Sequence, residues 1–84
     1  MRTGTEEKTL KDFKVGESGQ VLAITATGAL KRRLFDMGIT PGTGVAMRKV
    51  APLGDPIEVT VRGYELSLRK QEAENVLMRV EGKE

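Results

Sequence analysis

The chain has 84 residues, enough for one domain around one small core. It contains no Cys and no His, which excludes disulfides, thiolate metal sites and histidine proton shuttles. Its 14 basic and 12 acidic residues leave a net charge of +2, too small an excess to point to nucleic acid.

No apolar run approaches the ~20 residues of a membrane span. The stretch MRTGTEEKTLKDF lacks the apolar segment of a signal peptide. A soluble, cytoplasmic protein is therefore expected. Residues 1–8 are polar and read as a flexible tail, residues 9–81 as the domain, and 82–84 as a second short tail. Leu10, Phe13 and Val15 are the first apolar anchors, and Gly16 and Gly19 bracket a tight turn. QVLAITA reads as a strand, with Val21, Ala23 and Thr25 on one face and Leu22 and Ile24 on the other.

TGALKRRLFDMGITPG carries the one clear helix. Thr27 stands at its start, and Leu30, Leu34 and Met37 form one apolar stripe at i, i+4 and i+7. Gly38 suits the left-handed position that closes a helix, which lets Ile39 pack back on Leu34, and Pro41 keeps the helix from resuming.

TGVAMRKV reads as a second strand and APLGDP as a loop. IEVTVRGYELSLR then reads as a hairpin whose two-residue turn is Gly63-Tyr64. That register sets Arg62 opposite Glu65, Val61 opposite Leu66, Thr60 opposite Ser67, Val59 opposite Leu68 and Glu58 opposite Arg69. Apolar residues meet apolar ones, and the charged pairs have opposite sign. KQEAENV fits a single helical turn in which Glu72 is solvated, and VLMRV a closing strand ending near Val80. The sum is a mainly β chain of about five strands, with a short helix after the first strand and a helical turn before the last. A small, strongly bent barrel fits that length.

Nothing here resembles catalytic machinery. Nucleophilic catalysis needs an activated side chain beside a base, and no carboxylate sits in such a motif, so no enzyme is expected. Gly42-Thr43-Gly44 lacks the remaining glycine and the Lys of a phosphate loop and leads into a strand. Asp36, Asp55, Glu58, Glu65, Glu72 and Glu74 offer oxygen ligands that hold a divalent ion weakly at best, so no metal site and no cofactor are assigned. Met37, Met47 and Met78 read as core.

Two stretches remain as candidate contact surfaces. Lys31, Arg32 and Arg33 are either a solvated helix face, helped by Asp36 one turn on, or a basic patch for an acidic partner. Only Phe13, Phe35 and Tyr64 could stack on bases, and they are not clustered, so no nucleic acid is expected. Pro52, Leu53 and Gly54 put apolar surface on a loop stiffened by Pro52 and Pro56. Leu53 either contacts a partner or folds back over one end of the barrel.

The stretch LFDMGITPGTGVAMRKVAPLGDPIEVTVRGYELSLRKQEAENVLM resembles the FeoA family of ferrous iron uptake. The likeness rests on Met-Gly-Ile-Thr-Pro-Gly after the helix, Ala-Pro-Leu-Gly-Asp-Pro, the Arg-Gly-Tyr hairpin, and Leu-Ser-Leu-Arg followed by Glu-Ala, and it covers about residues 10–80. It implies an SH3-like barrel. It also implies a partner, the FeoB-type membrane iron transporter, contacted on its cytoplasmic side. Similar domains end the iron-dependent repressors of the DtxR type. No helix-turn-helix precedes the barrel in these residues, so a complete repressor is not expected. The function expected is a non-enzymatic accessory that docks on the transporter and supports or regulates it. The alternatives are a weak transition-metal sensor of the same pathway and a small-barrel RNA-binding protein.

Overall fold

The computed structural model describes residues 6–83, and six antiparallel strands form among the described residues. They are β1 (Glu6–Thr9), β2 (Glu17–Ile24), β3 (Gly44–Val50), β4 (Ile57–Val61), β5 (Tyr64–Leu68) and β6 (Val76–Lys83). A 3-10 turn at Leu10–Asp12 follows β1. Helix α1 (Gly28–Asp36) joins β2 to β3, and the single turn α2 (Lys70–Ala73) joins β5 to β6. The sheet order is β1-β6-β2-β3-β4-β5. No ladder joins β5 to β1, so the sheet bends like an SH3 barrel without closing into one.

The sixth strand comes from the expected tail. Residues 6–8 are not frayed: Glu6 pairs with Val80 and Lys8 with Met78. The strand is polar because it is an edge held by main-chain bonds, so no apolar alternation marks it. Lys8 Nζ lies 2.9 Å from Glu17 Oε1 and 5.5 Å from the centre of the Phe13 ring. The expected tail at residues 1–5 lies outside the described residues. At the other end β6 runs on through residues 82 and 83 rather than stopping at Val80.

Leu10 and Phe13 are buried as expected, but Val15 is exposed. Gly19 is not part of a turn. It lies inside β2 against β6, where a Cβ would overlap the Arg79 carbonyl, so only glycine allows this approach. Beyond it the expected alternation fails. The register of β2 against β6 shifts between Val21 and Ala23, leaving Leu22 as an extra residue. Val21 is buried before the bulge, and Ile24 packs against the core after it.

Helix α1 follows its apolar stripe. Leu34 is fully buried, and Leu30 and Met37 pack against the core beside it. The Gly38 N–H bonds to Phe35 C=O at 2.9 Å and the Ile39 N–H to Leu34 C=O at 3.0 Å, the paired bonds of a Schellman stop. Burying Leu34 contributes about 1.5–3 kcal/mol.

The hairpin turn lies one residue earlier than expected. Val61 pairs with Tyr64, Thr60 with Glu65, Val59 with Leu66, Glu58 with Ser67 and Ile57 with Leu68. The turn is Arg62-Gly63, both with positive φ (53° and 84°), which is the type I′ pattern. The ion pairs Arg62–Glu65 and Glu58–Arg69 are therefore absent. Arg62 instead donates from Nη2 to Thr43 Oγ1 at 3.2 Å, tying the turn to the segment before β3. Ile57, Val59, Val61 and Leu68 are buried and Leu66 is half-buried.

Candidate functional site

The loop between β3 and β4 is built to hold its tip outward. Ala51 N–H bonds to Pro56 C=O at 3.0 Å, and Gly54 N–H bonds back to Ala51 C=O at 2.7 Å. This closes a turn with Pro52 in the second position, where its fixed φ is favourable. Leu53 sits third, 96% exposed. It does not fold over the end of the sheet. The Asp55–Pro56 peptide is cis, and Asp55 Oδ1 accepts from Lys70 N–H at 2.9 Å, so the loop is fastened to the start of α2.

α1 is fastened to the same place. Arg33 Nε lies 3.0 Å from Glu72 Oε2. Glu72 Oε1 accepts from Arg69 N–H at 2.9 Å, which satisfies one of the open donors at the start of α2. Glu72 is thus buried rather than solvated, because both its oxygens are engaged. Asp36 does not pair with Arg32 or Arg33. The loop, α1, the end of β5 and α2 enclose an open cleft of about 380 Å³ lined by Arg33, Asp55, Pro56, Ser67, Arg69 and Glu72.

Of the residues singled out in the sequence, Arg33 lines this cleft beside the base of the loop that carries Pro52, Leu53 and Gly54. Lys31 and Arg32 do not line it. They lie on the exposed side of α1, with Lys31 Nζ 5.7 Å from the centre of the Phe35 ring. Sequence reasoning missed Asp55, Arg69 and Glu72 as the joint between loop and helix. The spacing Arg69-x-x-Glu72 is the available signal, since an acid three residues into a helix reaches back to the N-cap N–H.

The donor set does not suit a resident borderline metal. It has no imidazole or thiolate, and among the described residues no group of three or more acidic side chains converges. Nor, among the described residues, is any helix long and apolar enough to cross a membrane.

A family model for the FeoA domain matches residues 8–80. The chain belongs to the FeoA family. FeoA is a transport-associated accessory domain and is not known as an enzyme family. The FeoA-like protein of Clostridium acetobutylicum is similar in sequence and structure. It is 36% identical, with a TM-score of 0.86, over 96% of this chain and 94% of that one. The FeoA of Stenotrophomonas maltophilia, solved with zinc and described as a procaryotic SH3 domain protein, is 31% identical with a TM-score of 0.74. The match covers 83% of this chain and 87% of that one. Likeness of fold alone extends to T. acidophilum IdeR, at 16% identity and a TM-score of 0.81 over 96% of this chain and 37% of that one. In Porphyromonas gingivalis, a fusion of Fe(2+) transport protein A with the Fe(2+) transporter FeoB is 25% identical over 67 residues. This chain then spans 8% of the fusion, and the match takes in 80% of this chain.

Proposed function

We propose that this FeoA chain is a non-enzymatic accessory of ferrous iron uptake that docks, in the cytoplasm, on the cytoplasmic part of a FeoB-type transporter and supports or regulates it. The observation that carries this reading is the P. gingivalis fusion, in which an A-like and a B-like part share one polypeptide. Two functions joined covalently in one organism are ones that work side by side. The shape of this chain supports the reading. Leu53 is an apolar side chain held out on a bonded turn, so it can be buried in a partner without ordering a loop. Lys31 and Arg32 lie free of ion pairs among the described residues, whereas Arg33 is engaged by Glu72. Leu53 is then the anchor, and Lys31 and Arg32 steer the encounter.

The test is a binding titration against the transporter's cytoplasmic domain at low and high salt, with circular dichroism on each variant. Leu53→Asp stays folded and weakens binding by at least ~2 kcal/mol, the hot-spot scale. Lys31→Glu combined with Arg32→Glu chiefly slows association, and the loss shrinks as salt rises. A folded Leu53→Asp that binds like the parent removes the loop from the contact. A parent that does not bind the domain at all ends the docking reading.

A further inference from the structure

β5 is a terminal strand of the sheet, and among the described residues no strand pairs with its outer side. The two-residue turn is closed by Tyr64 N–H bonding to Val61 C=O. Strict alternation then turns the main-chain groups of Tyr64, Leu66 and Leu68 toward β4 and those of Glu65 and Ser67 away from it. Among the described residues no hydrogen bond reaches these outward groups of Glu65 and Ser67. The opening ends at Arg69. Its N–H is bonded to Glu72 Oε1, and its C=O accepts from the N–H groups of Glu72 and Ala73.

Open edges are often blunted by shortness, a bulge, a proline or charged side chains, lysine above all. β5 is paired to β4 without a register shift and has no proline or lysine. Glu65, Ser67 and Arg69 alternate onto one exposed face. At one end Glu65 shares a shallow cleft of about 230 Å³ with Glu58. At the other end Arg69 lies at the larger cleft, which Asp55 also lines and where Arg33 is already paired with Glu72. The strand itself thus carries one negative charge at its start, Glu65, and one positive charge just past its end, Arg69.

We propose that β5 pairs with β5 of a second copy of this chain, antiparallel about a two-fold axis at Leu66. An antiparallel copy sets Glu65 of each edge near Arg69 of the other, and it is this charge complementarity that selects a second copy as the occupant. In this register Glu65 lies opposite Ser67 of the second copy, which gives four main-chain hydrogen bonds. Each Glu65 is diagonal to an Arg69, about 7–8 Å away and within reach of two long side chains. Leu66, already half-buried against the core, meets its counterpart on the inner face. The neighbouring registers fail. Centring on Ser67 needs the main chain of Arg69, which is occupied. Centring on Glu65 sets two carboxylates directly opposite each other. So short a ladder makes a weak, reversible dimer.

This inference does not rest on docking to the transporter and is tested without it. Sedimentation of the parent chain from about 1 µM to about 1 mM, the range of weak association, shows the mean mass rising above 9.2 kDa toward that of a dimer. Glu65→Arg alone and Arg69→Glu alone each reduce association about tenfold, because two attractive diagonals become repulsive. An equal mixture of the two variants recovers the parent's association, since each introduced charge then meets its opposite. Ser67→Pro removes an outward N–H without touching the β4 ladder and abolishes the dimer. Circular dichroism establishes that each variant is folded. A parent monomeric across the range, a mixture no better than its components, or a folded Ser67→Pro that still dimerises overturns the proposal.

Discussion

Glu72 is an acid 7% exposed, and it stays there because each oxygen has its own partner. One oxygen accepts the N–H that opens α2, and the other faces the Arg33 guanidinium. The two bonds differ in value. The first satisfies an otherwise open main-chain donor, a role worth about 1 kcal/mol at a helix start. The second pairs with an arginine largely in water, where an ion pair contributes at most ~1 kcal/mol. Glu72→Ala therefore lowers stability by about 1–2 kcal/mol, and Glu72→Gln, which keeps an acceptor for the N–H, by less than half of that. Urea unfolding midpoints at unchanged slope measure both. Equal losses in the two variants would show that the charge, and not the cap, matters.

At the scale of elements, the hairpin separates what a sequence pattern determines from what it leaves open. Moving the turn from Gly63-Tyr64 to Arg62-Gly63 ends β4 one residue earlier and starts β5 one residue earlier, so the pairing shifts by two. Val59, Val61, Leu66 and Leu68 then stay on the same face while every cross-strand partner changes. Apolar alternation is satisfied by either register, so burial was legible and pairing was not. Turn chemistry decides it, because a type I′ turn matches the twist of the strands even with Arg62 at positive φ. Cross-strand nuclear Overhauser effects are expected between Val59 and Leu66 and between Val61 and Tyr64. A Val61–Leu66 pairing would restore the other register. The same distinction holds elsewhere. The end of α1 was readable, because Gly38, Ile39 and Pro41 are local signals. β1 was not, because Glu6–Thr9 is polar and gains its order from main-chain bonds to β6 at the far end of the chain. The bulge at Leu22 was hidden in the same way, since only the partner strand reveals the extra residue.

Taken whole, the molecule spends its few well-placed polar groups on holding elements together. The loop and α1 could each be picked out from the sequence as contact surfaces. Their meeting through Asp55, Lys70, Arg33 and Glu72 could not, because it joins residues far apart in the chain. The same economy bears on metal. With no Cys and no His, carboxylates are the strongest ligands available. The two that are buried are committed: Glu17 Oε1 accepts from Lys8 Nζ at 2.9 Å and from Lys14 N–H at 2.7 Å, and Glu72 holds α1 to α2. An ion taken up by either would have to displace these partners and leave a half-buried ammonium or a main-chain N–H unpaired, at a cost of about 1–3 kcal/mol per group. The remaining acids are exposed or half-buried and do not converge among the described residues. Ferrous iron and zinc also prefer nitrogen and sulfur donors where these exist. Calorimetric titration of the monomer with ferrous ion under anaerobic conditions, and separately with zinc, is therefore expected to give dissociation constants weaker than about 1 µM, less than ~8 kcal/mol of binding. Chemical shifts should move only slightly and at many surface carboxylates together. A stoichiometric site tighter than that, with shifts confined to a few residues, would show that the fold assembles an oxygen cage this donor set does not predict.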